Sequence, residues 1–200
     1  MDGRLVAEVF VTLFVIMDPP GTVPIFLALT SSMTARQRRA AARQAVMVAF
    51  GVVVSFAVFG QQLLSYMHVS LPALQASGGL LLLLVAMELL TGRSEDPKPA
   101  AGSVNVAMVP LGTPLLAGPG AIVATMVFTQ RAQDTSEWVA IALGVVGVHV
   151  CLWLAMRFAG GVRRLLRESG TTLVTRISGL LLAAIAVQLI ADAIRAFIEA

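Results

Sequence analysis

Six apolar segments separated by short polar stretches constrain the fold of this chain more than any other feature of its sequence. They lie at residues 5–29, 45–64, 74–90, 104–128, 138–158 and 173–197. Each is about the 20 residues that an α-helix needs to cross a bilayer. With 58% hydrophobic and 12% charged residues, the chain of 200 residues has too much apolar surface for a water-soluble core. The sequence therefore predicts an all-α integral membrane protein with six transmembrane helices.

Two of these segments, the first and the fourth, contain helix-breaking residues. The first reads Asp18-Pro19-Pro20-Gly21-Thr22-Val23-Pro24, and the fourth contains Ala117-Gly118-Pro119-Gly120. Proline removes a backbone donor and interrupts a helix, which is tolerated in a membrane where the freed groups find other partners. A carboxylate at membrane depth usually faces the interior of a bundle or a watery cavity. We therefore expect both spans to be broken and to carry the function.

The two halves of the chain resemble each other at an offset of about 100 residues. Pro20-Gly21 corresponds to Pro119-Gly120, and the sequence SGGLLL at 77–82 corresponds to ISGLLL at 177–182. Because each half has three spans, the second half must be inverted relative to the first. Inverted repeats with paired broken helices are typical of secondary transporters. We predict a first repeat at residues 1–92, a cytoplasmic linker at 93–103 and a second, inverted repeat at 104–200.

The distribution of basic residues predicts the orientation in the membrane. With the N-terminus outside, the basic stretches 34–43 and 163–176 become cytoplasmic loops. Eleven basic residues then lie inside and three outside, a strong positive-inside bias. The inner set is Arg36, Arg38, Arg39, Arg43, Arg93, Lys98, Arg157, Arg163, Arg164, Arg167 and Arg176, and the outer set is Arg4, Arg131 and Arg195. We expect a multi-pass protein of the inner (plasma) membrane with both termini outside.

The two breaks together predict a binding site for a small zwitterion. Each second half-helix would begin near mid-membrane and direct free amide groups and a positive dipole end toward one region, which suits a substrate carboxylate. Asp18 could hold a substrate ammonium group. The predicted substrate is therefore a small neutral amino acid such as glycine or alanine. The candidate binding residues are Asp18, Pro19, Gly21, Thr22, Pro24, Gly118, Pro119 and Gly120.

Simpler interpretations of these residues remain open. Asp18 also fits the role of an N-cap of the second half-helix without substrate contact, and the prolines and glycines also fit helix kinks that serve packing. Gln188 is expected to bond a neighbouring helix, and His149 to be a hydrogen-bonded packing residue. Gly144 and Gly147 are expected to allow close contact between helices.

Other classes of function fit the sequence less well. No metal-ligand cluster is evident and neither histidine has a nucleophile partner in the sequence, so we expect no catalytic residues, no metal and no enzyme activity. The single cysteine, Cys151, cannot form a disulfide within the chain. The basic residues lie between apolar segments, which favours a lipid bilayer over nucleic acid as partner. No cofactor is expected; proton or sodium coupling and a homo-oligomer both remain open.

Several stretches resemble the MarC family of six-span bacterial and archaeal inner-membrane proteins. Asp18-Pro-Pro-Gly-Thr-Val-Pro24, followed by Ile-Phe-Leu-Ala-Leu-Thr30, is similar to the family's first span. Val109-Pro-Leu-Gly-Thr-Pro-Leu-Leu-Ala-Gly-Pro-Gly120 is similar to the fourth and is the most specific match. Ala76-Ser-Gly-Gly-Leu80 resembles the third span, and residues 176–190 resemble the last.

The resemblance implies transport of small neutral amino acids, because some members of the family are classed as transporters of glycine and alanine. It also implies that a charge at position 18 is not universal, since some relatives carry Asn there. Two alternatives stay open: an exporter of drugs or other metabolites with a larger apolar cavity, and a non-transporting membrane partner whose breaks only shape packing.

Overall fold

The computed structural model describes residues 3–91 and 116–199, and every regular element in these two ranges is a helix. This confirms the predicted all-α class. The helices are α1 (Gly3–Met17), α2 (Pro19–Leu29), α3 (Ala35–Tyr66), α4 (Leu71–Thr91), α5 (Pro119–Arg131), α6 (Thr135–Arg157) and α7 (Ala159–Ile198).

Five stretches of the described chain are long and apolar enough to cross a membrane. They are Gly3–Leu27, which joins α1 to most of α2, and Ala35–Tyr66, Leu71–Thr91, Thr135–Arg157 and Thr172–Ile198. The chain is therefore a multi-pass membrane protein. The predicted fourth span is described only from residue 116, and its α5 has 13 residues, too few to cross a bilayer alone. Residues 104–115 of that span and the predicted linker at 93–103 lie outside the described residues, so the six-span repeat stays a prediction.

The two basic stretches predicted as loops are helical, which corrects their assignment. Residues 35–43 form the first turns of α3, and 163–176 lie inside the 40-residue α7. Arginine, alanine and leucine are good helix formers, and hydropathy alone cannot distinguish a polar helical extension from a loop. Thr34 sets the start of α3 through a capping box, because its hydroxyl accepts from Gln37 N and Gln37 Oε1 accepts from Thr34 N.

Helix α4 packs along α7, α1 packs on α6, and α3 packs on α5 and α6. Small residues set the closest approaches. A Cβ at Gly144 of α6 would lie 2.6 Å from Val9 Cγ1 on α1, and one at Gly147 would lie 3.1 Å from Phe10 Cδ2. The expectation that these two glycines allow close helix contact is confirmed.

The α4–α7 contact brings the two similar glycine-leucine segments face to face. A Cβ at Gly79 would lie 2.8 Å from the carbonyl oxygen of Ala186, and a Cβ at Gly179 would lie 3.3 Å from that of Ala86. Residues at matching positions also form one small apolar cluster, made of Leu82, Ala86, Leu182 and Ala186. Each helix thus contacts the other through equivalent residues.

Two polar side chains of the spans have mainly local partners. His149 is buried, its Nδ1 lies 2.7 Å from the carbonyl oxygen of Val145, and its ring meets Phe50 edge-on. The prediction of a bonded packing residue is therefore confirmed. The prediction for Gln188 is wrong: Gln188 Nε2 donates to Asp192 one turn further along the same helix, at 2.8 Å. Exposed positions four residues apart on a helix are neighbours, so this local partner is available before any other helix.

Candidate functional site

The break in the first span is a single residue wide. Asp18 separates α1 from α2 and has a φ of 39°, in the left-handed region that non-glycine residues rarely occupy. Hydrogen bonding nevertheless continues on both sides of it. Asp18 N donates to Phe14 O, and Thr22 N donates to Asp18 O, both at 3.0 Å. The first span therefore turns at Asp18 without unwinding.

The first break offers fewer free amide groups than a newly started helix would. Pro19 and Pro20 have no N–H, and the Thr22 N–H is already bonded. The Thr22 hydroxyl also bonds the backbone, 3.0 Å from Asp18 O and 2.8 Å from Pro19 O. The first break thus differs from the expected anion site. It presents the negatively charged Asp18 carboxylate to the bundle in place of a row of free amide groups.

The Asp18 carboxylate is buried and only partly satisfied. The residue is 8% exposed, and Ser178 Oγ of α7 donates to Oδ1 at 3.0 Å. The second oxygen, Oδ2, is buried and has no hydrogen-bond partner among the described residues. The carboxylate lies over Gly21, where a Cβ would come within 2.7 Å of Asp18 Cγ. The backbone amide of Gly21, the third residue of α2, also interacts with the Asp18 carboxylate, as the third amide of a helix does with an N-cap side chain. The φ of 39° nevertheless lies outside the extended region of a standard N-cap.

The second break has the opposite electrostatic character. Helix α5 begins at Pro119, the counterpart of Pro20, with Gly118 as N-cap and no side-chain cap. Gly118 O accepts from Ala121 N at 3.0 Å and from Ile122 N at 3.3 Å. Because Pro119 has no N–H, Gly120 carries the first amide of α5. This end of α5 therefore presents a positive dipole end and no acidic side chain.

The two breaks border the same packed interior. Met17, directly before Asp18, belongs to one buried apolar cluster with Leu116, Ala117 and Ala121 of the second break. On another side, Ile16 packs against the α4–α7 cluster that contains Leu82, and a Cβ at Gly120 would collide with Leu82. Among the described residues no hydrogen bond joins Asp18 to the second break. The breaks are thus neighbours across a common core.

The predicted site residues differ in their access to the interior. Asp18, Pro19, Thr22 and Gly120 are buried, and Gly21 and Gly118 are half-buried. Pro24 and Pro119 are exposed on the surface of the chain. Pro24 lies inside α2, which continues past it to Leu29. The interior of the site is therefore lined by the six residues that are not exposed: Asp18, Pro19, Gly21, Thr22, Gly118 and Gly120.

Sequence reasoning missed Ser178 as the partner of Asp18. The two residues are 160 positions apart, and their hydrogen bond joins the first half of the chain to the last helix. The available signal was the internal similarity itself. Ser178 stands in the second copy of the glycine-leucine segment, where the first copy has Gly78. A polar residue at one position of an otherwise apolar repeat is a reasonable place to seek a buried partner.

Comparison with known proteins identifies the family. The profile of the MarC family integral membrane proteins matches residues 4–198, nearly the whole chain. The chain belongs to the MarC family. This confirms the resemblance carried by the two breaks and by the glycine-leucine segments.

Relatives within the MarC family cover almost the full length of the chain. A UPF0056 membrane protein of Methanocaldococcus jannaschii is 34% identical over 98% of both chains. One from Archaeoglobus fulgidus is 35% identical over 92% of this chain and 89% of its own. The UPF0056 membrane protein YhcE of Escherichia coli is 29% identical over 93% of this chain and 90% of its own. No solved structure matches this MarC protein.

Proposed function

We propose that this MarC protein is a secondary transporter of small neutral amino acids such as glycine or alanine. The observation that carries the proposal is the Asp18 carboxylate, which is buried at a helix break with Oδ2 unpartnered. A buried charge is costly unless something pairs with it. A substrate ammonium group at Oδ2 supplies that pairing, and Ser178 holds the other oxygen in place.

The second break complements this acceptor. In the proposal, the substrate carboxylate faces the uncapped start of α5, where the Gly120 amide and the helix dipole favour negative charge. One carboxylate and one positive helix end match the two charges of a zwitterion. Packing around both breaks is tight, because Gly21 lies against Asp18 and Gly120 lies against Leu82. Such crowding favours substrates with a small side chain.

The bond between Asp18 and Ser178 supports a role in alternating access. It is made between α7 and the break in the first span, which belong to different halves of the chain. Transporters built from repeats move one repeat against the other around a central site. Substrate binding at Asp18 would change the strength of this hydrogen bond. Binding would thereby be coupled to the movement of one repeat against the other.

We further propose that the protein lies in the inner membrane with both termini outside. The cytoplasmic end in this arrangement contains the start of α3 and the end of α6. Arg38 and Arg39 of α3 lie beside Arg157 of α6 around one cavity. Three basic residues from two spans at one end of the bundle support the positive-inside orientation.

Uptake into liposomes tests the transport proposal. The purified full-length protein is reconstituted, and entry of labelled glycine and alanine is measured with and without proton and sodium gradients. We expect saturable uptake driven by one of these gradients, which identifies the coupling ion. We expect Asp18→Ala to lower uptake at least about tenfold, because hydrogen bonds to charged groups are worth about 1.5–3 kcal/mol.

The matched control is Asp192→Ala, which removes a carboxylate from α7 that pairs with Arg131 instead of facing the break. This variant should retain uptake. Full uptake by Asp18→Ala would make Asp18 a structural residue of the break. Absence of uptake under every gradient, in protein shown by circular dichroism to be helical, would overturn the amino-acid proposal and favour the exporter or the non-transporting partner.

A further inference from the structure

A second polar feature lies away from the two breaks, between α3, α6 and α7. It is a cavity of about 180 Å³ lined in part by Arg38, Arg39 and Arg157. The rest of its wall is formed by Ala35 and Ala159, the first residues of α3 and α7, together with Met156 and Gly160. Neither break contributes a residue to it.

The positive charge around this cavity has no protein counter-charge in the described part of the chain. None of the three arginines forms a salt bridge with a described carboxylate. Arg38 donates one bond, from Nη2 to Thr30 O at 3.1 Å, while its Nε is buried without a partner. Arg157 lies over the ring of Phe158, with its Cζ 5.4 Å from the centroid. Guanidinium groups in such a setting fit a planar or tetrahedral oxyanion.

The helix ends add to this positive potential. Both α3 and α7 begin at the cavity. Thr34 already caps one amide of α3, whereas the start of α7 has no side-chain cap. The dipoles of both helices favour an anion at these ends. The C-terminal end of α6 opposes them, but Arg157 in its last turn offsets that negative end. The balance of fixed charge at the cavity is therefore positive.

We propose that this cavity binds a phosphate group. Its arginines come from two different helices and converge on one space, which distinguishes them from basic residues that only contact the membrane surface. The proposal is independent of the transport function, because the cavity shares no residue with the breaks. Basic pockets between helices at the cytoplasmic side of a membrane are suited to lipid head groups.

Phosphate can reach this cavity on an anionic lipid or as a free ion. Exposed apolar side chains adjoin the arginines, since Leu154 is 40% and Phe158 is 58% exposed. These are positions where acyl chains of a lipid would contact the protein while its head group enters the cavity. The shared chemistry is the phosphate oxyanion, and the experiment separates the two sources.

Two measurements on the full-length protein in detergent provide the test: native mass spectrometry for lipids and thermal unfolding for soluble ions. In one arm, phosphatidylglycerol or phosphatidylcholine is added and the retained lipid is counted. In the other, inorganic phosphate or chloride is titrated and the thermal midpoint is recorded. If the source is a lipid, phosphatidylglycerol is retained in preference to phosphatidylcholine. If the source is a soluble ion, phosphate raises the midpoint and chloride does not.

Two double variants are compared. The cavity pair combines Arg39→Ala with Arg157→Ala, and the control pair combines Arg36→Ala with Arg43→Ala. Both pairs remove two positive charges, but Arg36 and Arg43 do not line the cavity. We expect the cavity pair to weaken binding of the preferred probe about tenfold or more, at about 1 kcal/mol per basic residue, and the control pair to leave it nearly unchanged. Equal losses in both pairs, or wild-type protein that binds neither probe selectively, would overturn the proposal. Arg38 is left intact because it bonds Thr30 O.

Discussion

The conformation of Asp18 decides how the first break presents its charge. A non-glycine residue at positive φ costs about 1–3 kcal/mol unless its surroundings hold it there, and aspartate tolerates this region better than most residues. Here the hydrogen bonds of Asp18 N and O continue the helical pattern on both sides. The strain is confined to one residue, whose carboxylate is thereby placed over Gly21 and within reach of Ser178.

Substitution of Gly21 by alanine tests this arrangement. The new Cβ would collide with the Asp18 carboxylate, so the carboxylate must move and its bond to Ser178 must weaken. Overpacking of this kind costs about 1–3 kcal/mol. We expect Gly21→Ala to lower the thermal midpoint in detergent and to impair uptake.

A double-mutant cycle gives the control for Gly21. In the Asp18→Ala background the colliding carboxylate is absent, so Gly21→Ala should cost clearly less stability than it does in the wild type. Gly51→Ala on α3 adds a Cβ with no atom within 4 Å and should leave the midpoint unchanged or raise it. Equal costs of Gly21→Ala in both backgrounds would show that the Asp18 contact does not cause the effect.

Among the helices, the α4–α7 pair illustrates how a membrane protein packs without a hydrophobic driving force. Apolar side chains gain little by leaving lipid, so association depends on close van der Waals contact at small residues. Gly79 meets Ala186, and Gly179 meets Ala86. The leucines and alanines between them form the shared cluster.

Alanine at these two glycines should have unequal effects. A Cβ at Gly79 would lie 2.7 Å from Ile190 Cγ1 and 2.8 Å from a backbone oxygen, whereas the nearest atom to one at Gly179 is 3.1 Å away. We expect Gly79→Ala to lower the thermal midpoint by about 2–10 °C, for a cost of about 1–3 kcal/mol, and Gly179→Ala to lower it less. With Gly51→Ala as reference, identical midpoints for all three variants would contradict this packing.

At the scale of the molecule, the contacts of the described helices follow the exchange of halves that the predicted repeat requires. Helix α2, the second half of the first span, packs against α6 and α7. Helix α5, which has the same place in the second half of the chain, packs against α3 and α4. Exchange of the two halves replaces α6 by α3 and α7 by α4, so one set of contacts becomes the other. The reciprocal α4–α7 pair agrees with the same exchange.

The proposed orientation predicts which loops a membrane-impermeant maleimide can reach in intact cells. Cys151 is first replaced by serine, and single cysteines are then placed at Ser32, between α2 and α3, or at Gln133, between α5 and α6. We expect Gln133→Cys to react in intact cells and Ser32→Cys to react only after permeabilisation. The Cys151→Ser background is the blank, and the reverse labelling pattern would place both termini inside.

Local sequence was sufficient for the helical class, the membrane location, the position of the first break and the start of α5. Hydropathy over about 20 residues determines which segments can leave water, and proline at positions 19 and 119 removes helix donors in any tertiary context. Local sequence did not determine whether the polar residues beside a span continue its helix, as they do at the start of α3 and in α7. Arginine-rich segments are compatible with both helix and loop.

Only the tertiary structure decided which residues meet. The bond between Ser178 and Asp18 spans 160 residues, and the cavity joins arginines of α3 to one of α6. Such contacts depend on the packing of helices, which small residues at distant positions set together, so no window of sequence contains them. The sequence by itself thus determined a broken, charged first span in a membrane protein, and tertiary packing decided that one oxygen of that carboxylate is bonded to Ser178 and the other is buried without a hydrogen-bond partner among the described residues.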